Sequence, residues 1–487
     1  MTPSKPHYQA LKSNELGEHC PHVEPPEFSE SAFPSEEGCS LDTCDETSKS
    51  VNPPAATSFD KVDSKNPPLV IEDISILTMN CWGIFVKHMT VAKGRRLAAL
   101  REALKSSTYD IILLQELWEN REYEKFKEAL SDRYPYTVYF HSQVFGAGIC
   151  IFSRWKLESF LTYPYSLNGY PHYIHQGDWL SGKSMGYATV LTPKGFRLNL
   201  YVTHTHARYH INHKRDVVEG HRLGQAMELM EFVRATAGSA DAIFIGGDLN
   251  LEPYTTGLNL LKRSLGLKDA WLDQLERQPV TDLNALELEG CTCENKSNPF
   301  ASKAWTATSG NGLRLDYLLY RPGVQGPSNV SVLCESCRLE MREIPNGDGL
   351  HYSDHEGVAG YFRLSRHPET FVDHIPPVGL IQTLDDLLRD ALTILNRQIS
   401  RAKRFRALHF TLAAVLLLLV LFFGTYWPFT HPALAFLQTL VVLLSGAIIF
   451  SLMWGNLVGR QCELNALRNM VNLVEHYSEL SLVTKTP

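Results

Sequence analysis

Two long apolar segments near the C-terminus constrain this chain more than any other feature. Residues 407–427 and 432–454 contain no Asp, Glu, Lys or Arg, and both are rich in Leu and Val all round. About 20 such residues are enough to cross the hydrocarbon core of a bilayer as a helix. The short turn "PFTHP" joins the two segments. We therefore predict a transmembrane hairpin with both ends on one side; a pair of buried core helices is the alternative.

The residues that flank the hairpin predict its orientation, because cationic side chains favour the cytosolic side of a membrane. Those next to its ends are Arg401, Lys403, Arg404, Arg406 and Arg460. Tyr426, Trp427 and Trp454 stand where an aromatic belt is expected. We expect an integral membrane protein with two spans and both termini in the cytosol. Its membrane is the endoplasmic reticulum, another intracellular membrane or the inner face of the plasma membrane.

The segments on either side of the hairpin differ in pattern. Residues 380–406 form a predicted amphipathic juxtamembrane helix with Thr383 as its N-cap. Its apolar stripe consists of Leu384, Leu387, Leu388, Leu392 and Leu395. Residues 455–487 are left as a cytosolic C-terminal tail.

The N-terminal segment carries all of the net charge. Residues 1–70 hold 12 Asp and Glu against 5 Lys, whereas the remainder balances 41 acidic with 41 basic side chains. Residues 1–69 lack apolar periodicity, so we predict a disordered acidic tail. The start of the tail has no apolar core of a signal peptide, and we expect the cysteines to be reduced. The balanced remainder argues against a nucleic-acid partner.

Between tail and hairpin, residues 70–370 alternate short apolar runs with turns and helical stretches, which predicts one α/β domain. Eight runs are predicted strands: 74–79, 111–114, 148–152, 187–191, 196–204, 242–247, 316–320 and 357–364. Two stretches, 94–104 and 219–235, are predicted helices.

Polar side chains stand at the ends of six of these predicted strands, where a core strand does not need them. They are Asn80, Gln115 and Glu116, His204 and His206, Asp248 and Asn250, Arg314 and Asp316, and Asp354 and His355. A single one of them is more simply explained as a turn former. Six together form a set of carboxylates, amides and imidazoles that suits a hard cation such as Mg²⁺. Bound Mg²⁺ polarises phosphoryl oxygens, so phosphoryl chemistry is indicated.

The same residues resemble the ordered motifs of the endonuclease/exonuclease/phosphatase superfamily. The likeness covers about residues 70–365 and all six strand ends, including "GDLN" at 247–250, "RLDY" at 314–317 and "SDH" at 353–355. It implies a DNase-I-like fold, a four-layered α/β sandwich of two mixed β-sheets flanked by helices. Within the superfamily, "MNCWG", "GDLNLEP", "CTCENKSNPF" and the hairpin resemble the neutral, Mg²⁺-dependent sphingomyelinases.

This resemblance implies a role for each motif residue. Glu116 is the implied principal Mg²⁺ ligand, with Asn80 beside it and Asp354 as a further contact to metal or phosphate. His355 resembles the general base that activates water, and Asp316 the carboxylate that orients its ring.

Two further groups complete the implied site. His204 resembles the second histidine, which stabilises charge on phosphorus or assists the leaving alkoxide. Asp248 and Asn250 are expected to position the nucleophilic water and the phosphate. His206 shares a face with His204 if the strand continues, and belongs to the rim if it ends. Histidines without motif support are expected at the surface: His172, His175, His210, His213 and His221.

The stretch "GDWLSGKS" at 177–184 matches the phosphate-binding loop of nucleotide hydrolases. That loop works only between a buried strand and the start of a helix, whose N–H groups hold the phosphates. Here a strand pattern follows, "MGYATVL", so ATP binding is not expected. The sphingomyelinase likeness implies instead that Asp178 and Lys183 form a pair near the active site, with Lys183 able to meet the substrate phosphate. A solvated turn is the plainer alternative.

The resulting hypothesis is an enzyme that hydrolyses sphingomyelin to ceramide and phosphocholine by Mg²⁺-dependent, phospholipase C-type cleavage. The same chemistry on lyso-platelet-activating factor, other lysophospholipids or inositol phosphosphingolipids is the alternative. A nuclease fits less well because of the membrane hairpin and the lack of net basic charge. A catalytically silent membrane scaffold fits less well because the motif set is intact, and a transporter because two spans leave little room for a pathway.

Overall fold

The computed structural model describes residues 69–86, 89–173, 176–238, 240–277, 290–323, 327–372, 382–426 and 430–483. The acidic tail predicted for residues 1–69 lies outside them except for Leu69, so it stays a prediction.

Twelve strands build two six-stranded mixed sheets within the described residues. The first sheet has the order β11-β12-β1-β2-β4-β3. Its strands are β1 (Val70–Asn80), β2 (Ile111–Gln115), β3 (Tyr136–Phe140), β4 (Ile149–Ser153), β11 (Pro327–Glu340) and β12 (Gly357–Val372). The second has the order β5-β6-β7-β8-β10-β9. Its strands are β5 (Leu157–Pro164), β6 (Ser184–Leu191), β7 (Arg197–His204), β8 (Ala242–Asp248), β9 (Lys268–Asp269) and β10 (Asp316–Pro322).

Helices cover the outer faces of the two sheets and follow them at the C-terminus. Those before residue 310 are α1 (Lys93–Ser106), α2 (Asn120–Leu130), α3 (Asp178–Ser181), α4 (Glu219–Thr236), α5 (Thr256–Leu265), α6 (Ala270–Arg277) and α7 (Lys303–Thr306). The last three are α8 (Leu384–Tyr426), α9 (Pro432–Trp454) and α10 (Gln461–Val483).

Three apolar clusters hold these layers together, because each sheet is apolar on both faces. The inner cluster fills the space between the sheets and includes Ile76, Leu113 and Phe244. A second cluster packs α1 and α2 on the first sheet. The third packs α4 and α5 on the second sheet and extends to α8 and α10, for example through Leu395 and Leu467. The result is the predicted four-layered sandwich.

Strand direction brings the polar strand ends to one edge of the sandwich. β1 runs parallel to β2, with Asn80 opposite Gln115. β7 runs parallel to β8, with His204 opposite Asp248. β10 is antiparallel to β8 and starts where β8 ends, since Asp316 pairs with Asp248. Chain ends from both sheets therefore meet in one place.

The two apolar segments form helices that are not buried in the protein. The most apolar 18-residue windows in the two C-terminal helical stretches have mean hydropathies of 2.5 and 2.3, and 6% and 0% of those windows are buried. The core-helix alternative is therefore wrong, and both helices are long and apolar enough to span a membrane. The predicted juxtamembrane helix and first span are one continuous helix, α8.

The predicted C-terminal tail also contains structure. A π-helical turn, Gly455–Arg460, leads from α9 into α10. α10 packs on α8 and α4 through Leu467, Met470 and Val474, which are buried. The end of the chain is thus part of the folded body as far as the structure describes it.

Candidate active site

Asn80 joins the two sheets at the centre of the site. Its buried Nδ2 donates to Glu116 Oε1 on the first sheet and to Asp248 Oδ2 on the second, both at 3.1 Å. Its Oδ1 accepts from the backbone N–H of Trp82 at 3.0 Å. Both amide donors are used in this arrangement, whereas the carbonyl oxygen keeps a second lone pair that a cation could take. The two carboxylates are consequently held a fixed short distance apart.

A histidine–carboxylate dyad lies beside this amide. His355 Nδ1 is 2.7 Å from Asp316 Oδ2, so the ring donates there and its Nε2 faces the site, 4.0 Å from Asp248 Oδ2. The hydroxyl of Thr292 donates to the same Asp316 oxygen at 2.6 Å. Thr292 also accepts from the backbone N–H of Asp316 at 3.1 Å, which fixes the carboxylate relative to its strand.

The electrostatics of the dyad make the His355 imidazole a stronger base than a free histidine. Burial by itself lowers the pKa of His355, but Cys293 and Asp316 raise it well above its usual value. Burial raises the pKa of the Cys293 thiol to about 12, so this group is neutral at pH 7. Asp316 is therefore the partner that supplies negative charge near neutral pH.

His204 and Lys183 form a second cluster across the site. Lys183 Nζ lies 2.8 Å from Nε2 and 3.0 Å from Nδ1 of His204, and it also pairs with Asp178 Oδ1 at 3.3 Å. Burial and Lys183 lower the pKa of His204 well below its usual value, so its ring is neutral. Trp118 packs against this cluster, with Lys183 5.3 Å from its ring centre.

Two acids of the site, buried Asp248 and half-buried Asp354, hold protons more tightly than usual. Burial and nearby Asp316 raise the pKa of Asp248 to about 7, against the opposing effects of His355 and Lys183. Burial raises the pKa of Asp354 to about 6, with His355 opposing and Glu116 adding to the shift. Crowded acids with raised pKa values are typical of sites that bind a cation or move protons.

The backbone at the site adopts conformations that side-chain-bearing residues rarely populate. Trp82, Glu116 and Asn250 have φ values of 48°, 58° and 46°, in the left-handed region. Gly247 has φ 151°, and a Cβ there would lie 2.0 Å from Thr203 O on the neighbouring strand. Such strain costs on the order of 1–3 kcal/mol per residue and concentrates at functional sites.

The donor set fits a divalent cation. Oε2 of Glu116 and Oδ1 of Asp316 are buried and have no hydrogen-bond partner within the described part of the chain. Oxygen ligands from carboxylates and amides are those that Mg²⁺ prefers. Ligand atoms of Asp248, Asp316 and His355 also lie within 4.8 Å of one another. The short bond from His355 to Asp316 already uses one oxygen of that group, so the Glu116 side is the better candidate.

The structure brings the predicted site residues to one place, with different degrees of contact. Asn250 bonds to Asp248 through its backbone N–H at 3.0 Å, while its side-chain amide donates to Thr205 O. Asp178 is buried and pairs with Lys183 at 3.3 Å. Burial raises the pKa of Asp178, but His206, Lys183 and Tyr209 outweigh it and lower the pKa.

The other histidines differ in their exposure to solvent, and not all lie where the sequence predicted. β7 ends at His204, and His206 is fully buried beyond it with Nε2 3.8 Å from Asp178 Oδ2. The surface prediction holds for His172, His210 and His213, whereas His175 lies outside the described residues. It is wrong for His221, which is buried because α8 and α10 cover the helix that carries it.

The match to a nucleotide-binding loop is contradicted locally. Residues 178–181 form only the single helical turn α3, and the strand β6 starts at Ser184. Lys183 points to His204 instead of lying at the start of a long helix. The solvated-turn alternative also fails, because Asp178 and Lys183 are both 3% exposed.

Comparison with known proteins shows which family this chain belongs to. A model of the Endonuclease/Exonuclease/phosphatase family matches residues 77–355. Sphingomyelin phosphodiesterase 2 of Mus musculus is 33% identical over 336 residues, which cover 69% of this chain and 76% of the mouse protein. The Homo sapiens protein of that name is 33% identical over 305 residues, which cover 62% of this chain and 66% of the human protein.

A more distant relative is named for a different substrate. Inositol phosphosphingolipids phospholipase C of Schizosaccharomyces pombe is 27% identical over 414 residues, which cover 82% of this chain and 93% of the yeast protein. The predicted superfamily is confirmed by the family match and by the identity to the mouse protein. This chain belongs to the endonuclease/exonuclease/phosphatase family and, within it, to the neutral sphingomyelinases.

Proposed function

We propose that this protein hydrolyses sphingomyelin to ceramide and phosphocholine, in a Mg²⁺-dependent, phospholipase C-type reaction at a membrane surface. The observation that carries the proposal is the Asp316–His355 dyad at 2.7 Å, which faces the Asn80–Glu116–Asp248 group across the same pocket. A base opposite a cluster of oxygen ligands is what in-line attack of water on a phosphodiester requires.

His355 acts as the general base in this mechanism. Its Nδ1–H is held by Asp316, so Nε2 is the atom that accepts the proton of the attacking water. A new bond forms between the water oxygen and phosphorus, and the bond from phosphorus to the ceramide oxygen breaks. Asp248 stands 4.0 Å from Nε2 and orients the water on the side away from the leaving group.

Lys183 and His204 stabilise the negative charge that develops in the transition state. The Lys183 ammonium donates to neutral His204, and this pair presents positive charge and an N–H group to the phosphoryl oxygens or to the departing alkoxide. Asp178 holds Lys183 in place at 3.3 Å. Removal of Lys183 is therefore expected to reduce the stabilisation of the transition state more than it reduces the binding of substrate.

Glu116 and Asn80 are the residues that would hold Mg²⁺, with Asp354 contributing negative potential nearby. When bound, this ion polarises a phosphoryl oxygen and offsets the charge that develops on phosphorus.

In the proposed membrane arrangement, α8 and α9 cross the bilayer and the catalytic domain lies in the cytosol. The support is the apolar, unburied character of both helices and the cationic residues at their ends. Arg401 and Arg460 make contacts with the catalytic domain, through Asp216 O and the ring of Tyr170. The substrate would then lie in the bilayer that anchors the enzyme.

Inositol phosphosphingolipids are the second candidate substrate. The observation in their favour is the match to the yeast phospholipase C over 82% of this chain. Both candidates share the ceramide leaving group, so the head group alone distinguishes them.

The test is the release of the phosphorylated head group from lipids in mixed micelles by the full chain, with and without Mg²⁺. Sphingomyelin is compared with phosphatidylcholine, lysolipids and inositol phosphosphingolipids. We expect Mg²⁺-dependent turnover of sphingomyelin, with Glu116→Gln and His355→Gln each reducing it by several orders of magnitude. Ser331→Ala, at a partly buried serine on β11 that bonds His367, is the control and should leave turnover unchanged. No Mg²⁺-dependent turnover of any sphingolipid would refute the proposal.

A further inference from the structure

Two loops and the short helix α3 at the active-site edge expose large apolar side chains to solvent. The loop after Asn80 carries Phe85 and Val86, which are 42% and 37% exposed. The loop after β3 carries Val144 and Phe145, 67% and 37% exposed. Soluble surfaces rarely keep large apolar groups together unless the patch has a partner.

These side chains form one surface, to which α3 adds Trp179. The rings of Phe85 and Phe145 pack edge to face, 5.0 Å apart. The backbone N–H groups of Val144 and Phe145 donate to Leu180 O at 3.2 and 3.3 Å, which ties the second loop to α3. Phe85, Val86, Val144, Phe145 and Trp179 are called the apolar rim below.

The apolar rim borders the catalytic pocket. Its first loop leaves β1 directly after Asn80, which bonds Glu116 and Asp248. Trp179 stands between Asp178 and Lys183 in the chain, and it is exposed while both of those neighbours are buried. A lipid that crosses the rim therefore arrives beside the groups that act on its phosphate.

The segment that precedes α3 in the chain approaches the helices that are long enough to span a membrane. The segment that leads into α3 begins at Tyr170, and the guanidinium of Arg460 lies 4.3 Å from that ring centre. In the same segment, the ring of His172 lies 6.5 Å from the ring of His409. His409 is the third residue of the uncharged segment 407–427 in α8. Tyr170 and His172, nine and seven residues before Trp179 in the chain, thus lie near the start of the apolar helix.

We propose that the apolar rim inserts into the lipid surface that surrounds α8 and α9, so that substrate passes from bilayer to active site without crossing water. The identity of the transferred lipid rests on the proposed function; the insertion itself rests on the rim. Because Tyr170 and His172, which precede Trp179 in the chain, lie beside helices that are long and apolar enough to span a membrane, the partner is a bilayer rather than a second copy of the chain. Aromatic side chains such as Phe85, Phe145 and Trp179 suit the boundary between head groups and acyl chains.

The first experiment separates access to the bilayer from chemistry. Full-length enzyme in proteoliposomes is given long-chain sphingomyelin in its own bilayer or a short-chain phosphocholine ester that stays monomeric in water. We expect Phe85→Ser with Val144→Ser to reduce kcat/KM for the bilayer lipid at least about 10-fold, because two apolar contacts are replaced by polar ones. Turnover of the soluble ester should stay within about two-fold of the unchanged enzyme.

A matched control comes from the far end of the same strand that leads to the rim. Ile71 is 39% exposed and nine residues before Asn80, roughly 30 Å away along β1. Ile71→Ser should leave both activities unchanged. Equal loss on both substrates in the rim variant, or no loss on the bilayer lipid, would overturn the inference.

A second measurement does not depend on catalysis. A fluorophore is attached to Val144→Cys or to Ile71→Cys in proteoliposomes that contain lipids with a quencher on the acyl chain, with the unchanged chain as the labelling background. We expect quenching at position 144 and none at position 71. Equal quenching at both positions, or rim-dependent dimers with an unquenched label, would refute insertion even if the enzyme proves inactive on every sphingolipid.

Discussion

Replacing Thr292 by valine removes the hydroxyl that donates to Asp316 while keeping the branched shape of the side chain. That hydroxyl lies 2.6 Å from the same carboxylate oxygen that receives His355 Nδ1. It also accepts backbone N–H groups of Leu315 and Asp316 at 3.2 and 3.1 Å. Thr292 is thus a positioning residue, which acts on the water only through the dyad.

The size of the effect follows from the kind of bond that is lost. A hydrogen bond to a charged group contributes about 1.5–3 kcal/mol. At about 1.4 kcal/mol for each factor of ten, loss of the bond in the transition state corresponds to a reduction in kcat/KM of roughly 10- to 100-fold. Thr292→Ser keeps the hydroxyl and should retain most of the activity.

The pH profile distinguishes positioning from a general structural role. Without the hydroxyl, more negative charge faces the imidazole, so the pKa of His355 rises further above its usual value. The base must be neutral to accept a proton, and the acidic limb of kcat/KM against pH therefore moves to higher pH in Thr292→Val. Turnover of sphingomyelin from pH 5 to 9 measures this shift.

Two outcomes would refute this reasoning. If Thr292→Val has the same kcat/KM and the same acidic limb as the unchanged enzyme, the hydroxyl does not act on Asp316 during catalysis. If the serine and valine variants lose activity equally with no change in the limb, Thr292 supports only the local fold.

Three further predictions concern Lys183, Glu463 and Glu116. Lys183→Met should lower lipid turnover roughly 10- to 100-fold through loss of its contacts to His204, with no effect of ATP in either protein. Burial raises the pKa of Glu463, but His221 and Arg460 outweigh it and lower the pKa from 4.5 to about 2. The charged form therefore stabilises the fold by roughly 3 kcal/mol above pH 4.5, and this is lost as pH falls toward 2. Thermal unfolding of Glu463→Gln should show that loss at pH 7 and little difference near pH 2. Glu116→Gln should abolish the rise in unfolding temperature that Mg²⁺ produces in the unchanged enzyme.

Each of these expectations has a contrary result. ATP-dependent lipid turnover would restore the nucleotide-loop interpretation of residues 177–184. A Glu463→Gln protein that is as stable as the unchanged enzyme at pH 7 would show that the bond to His221 adds nothing. Full Mg²⁺ stabilisation of Glu116→Gln would place the cation elsewhere, with the Asp248–Asp316–His355 group as the remaining candidate.

The central strands were predictable because their signal is local. Each strand that delivers a site residue is a buried apolar run that ends in a polar group, such as β8 before Asp248. β5 was missed because most of its residues are exposed and it lacks a continuous apolar run. β11 was missed because its serines, cysteines and acids hide the pattern of a long edge strand.

The details of the site depended on tertiary contacts that no local pattern contains. Thr292 lies outside the strands, and only its bonds to Asp316 show its role. His221 was expected at the surface because nothing in α4 indicates that α8 and α10 will cover it. The sequence analysis predicted a tail in place of α10. The apolar residues of α10 are buried by α8, and this packing partner cannot be recognised from the local sequence.

Because α8 is unbroken, it would connect the catalytic domain rigidly to the bilayer in the membrane arrangement proposed above. At 1.5 Å per residue, its 43 residues extend about 64 Å. The first half of α8 packs against the catalytic domain through Leu387, Leu388 and Leu395, and its second half is apolar. In that arrangement, the number of residues between the two halves of α8 sets the distance of the catalytic domain from the membrane and its rotation about the helix axis. One residue inserted between 398 and 406 would raise the domain by about 1.5 Å and turn it by about 100°.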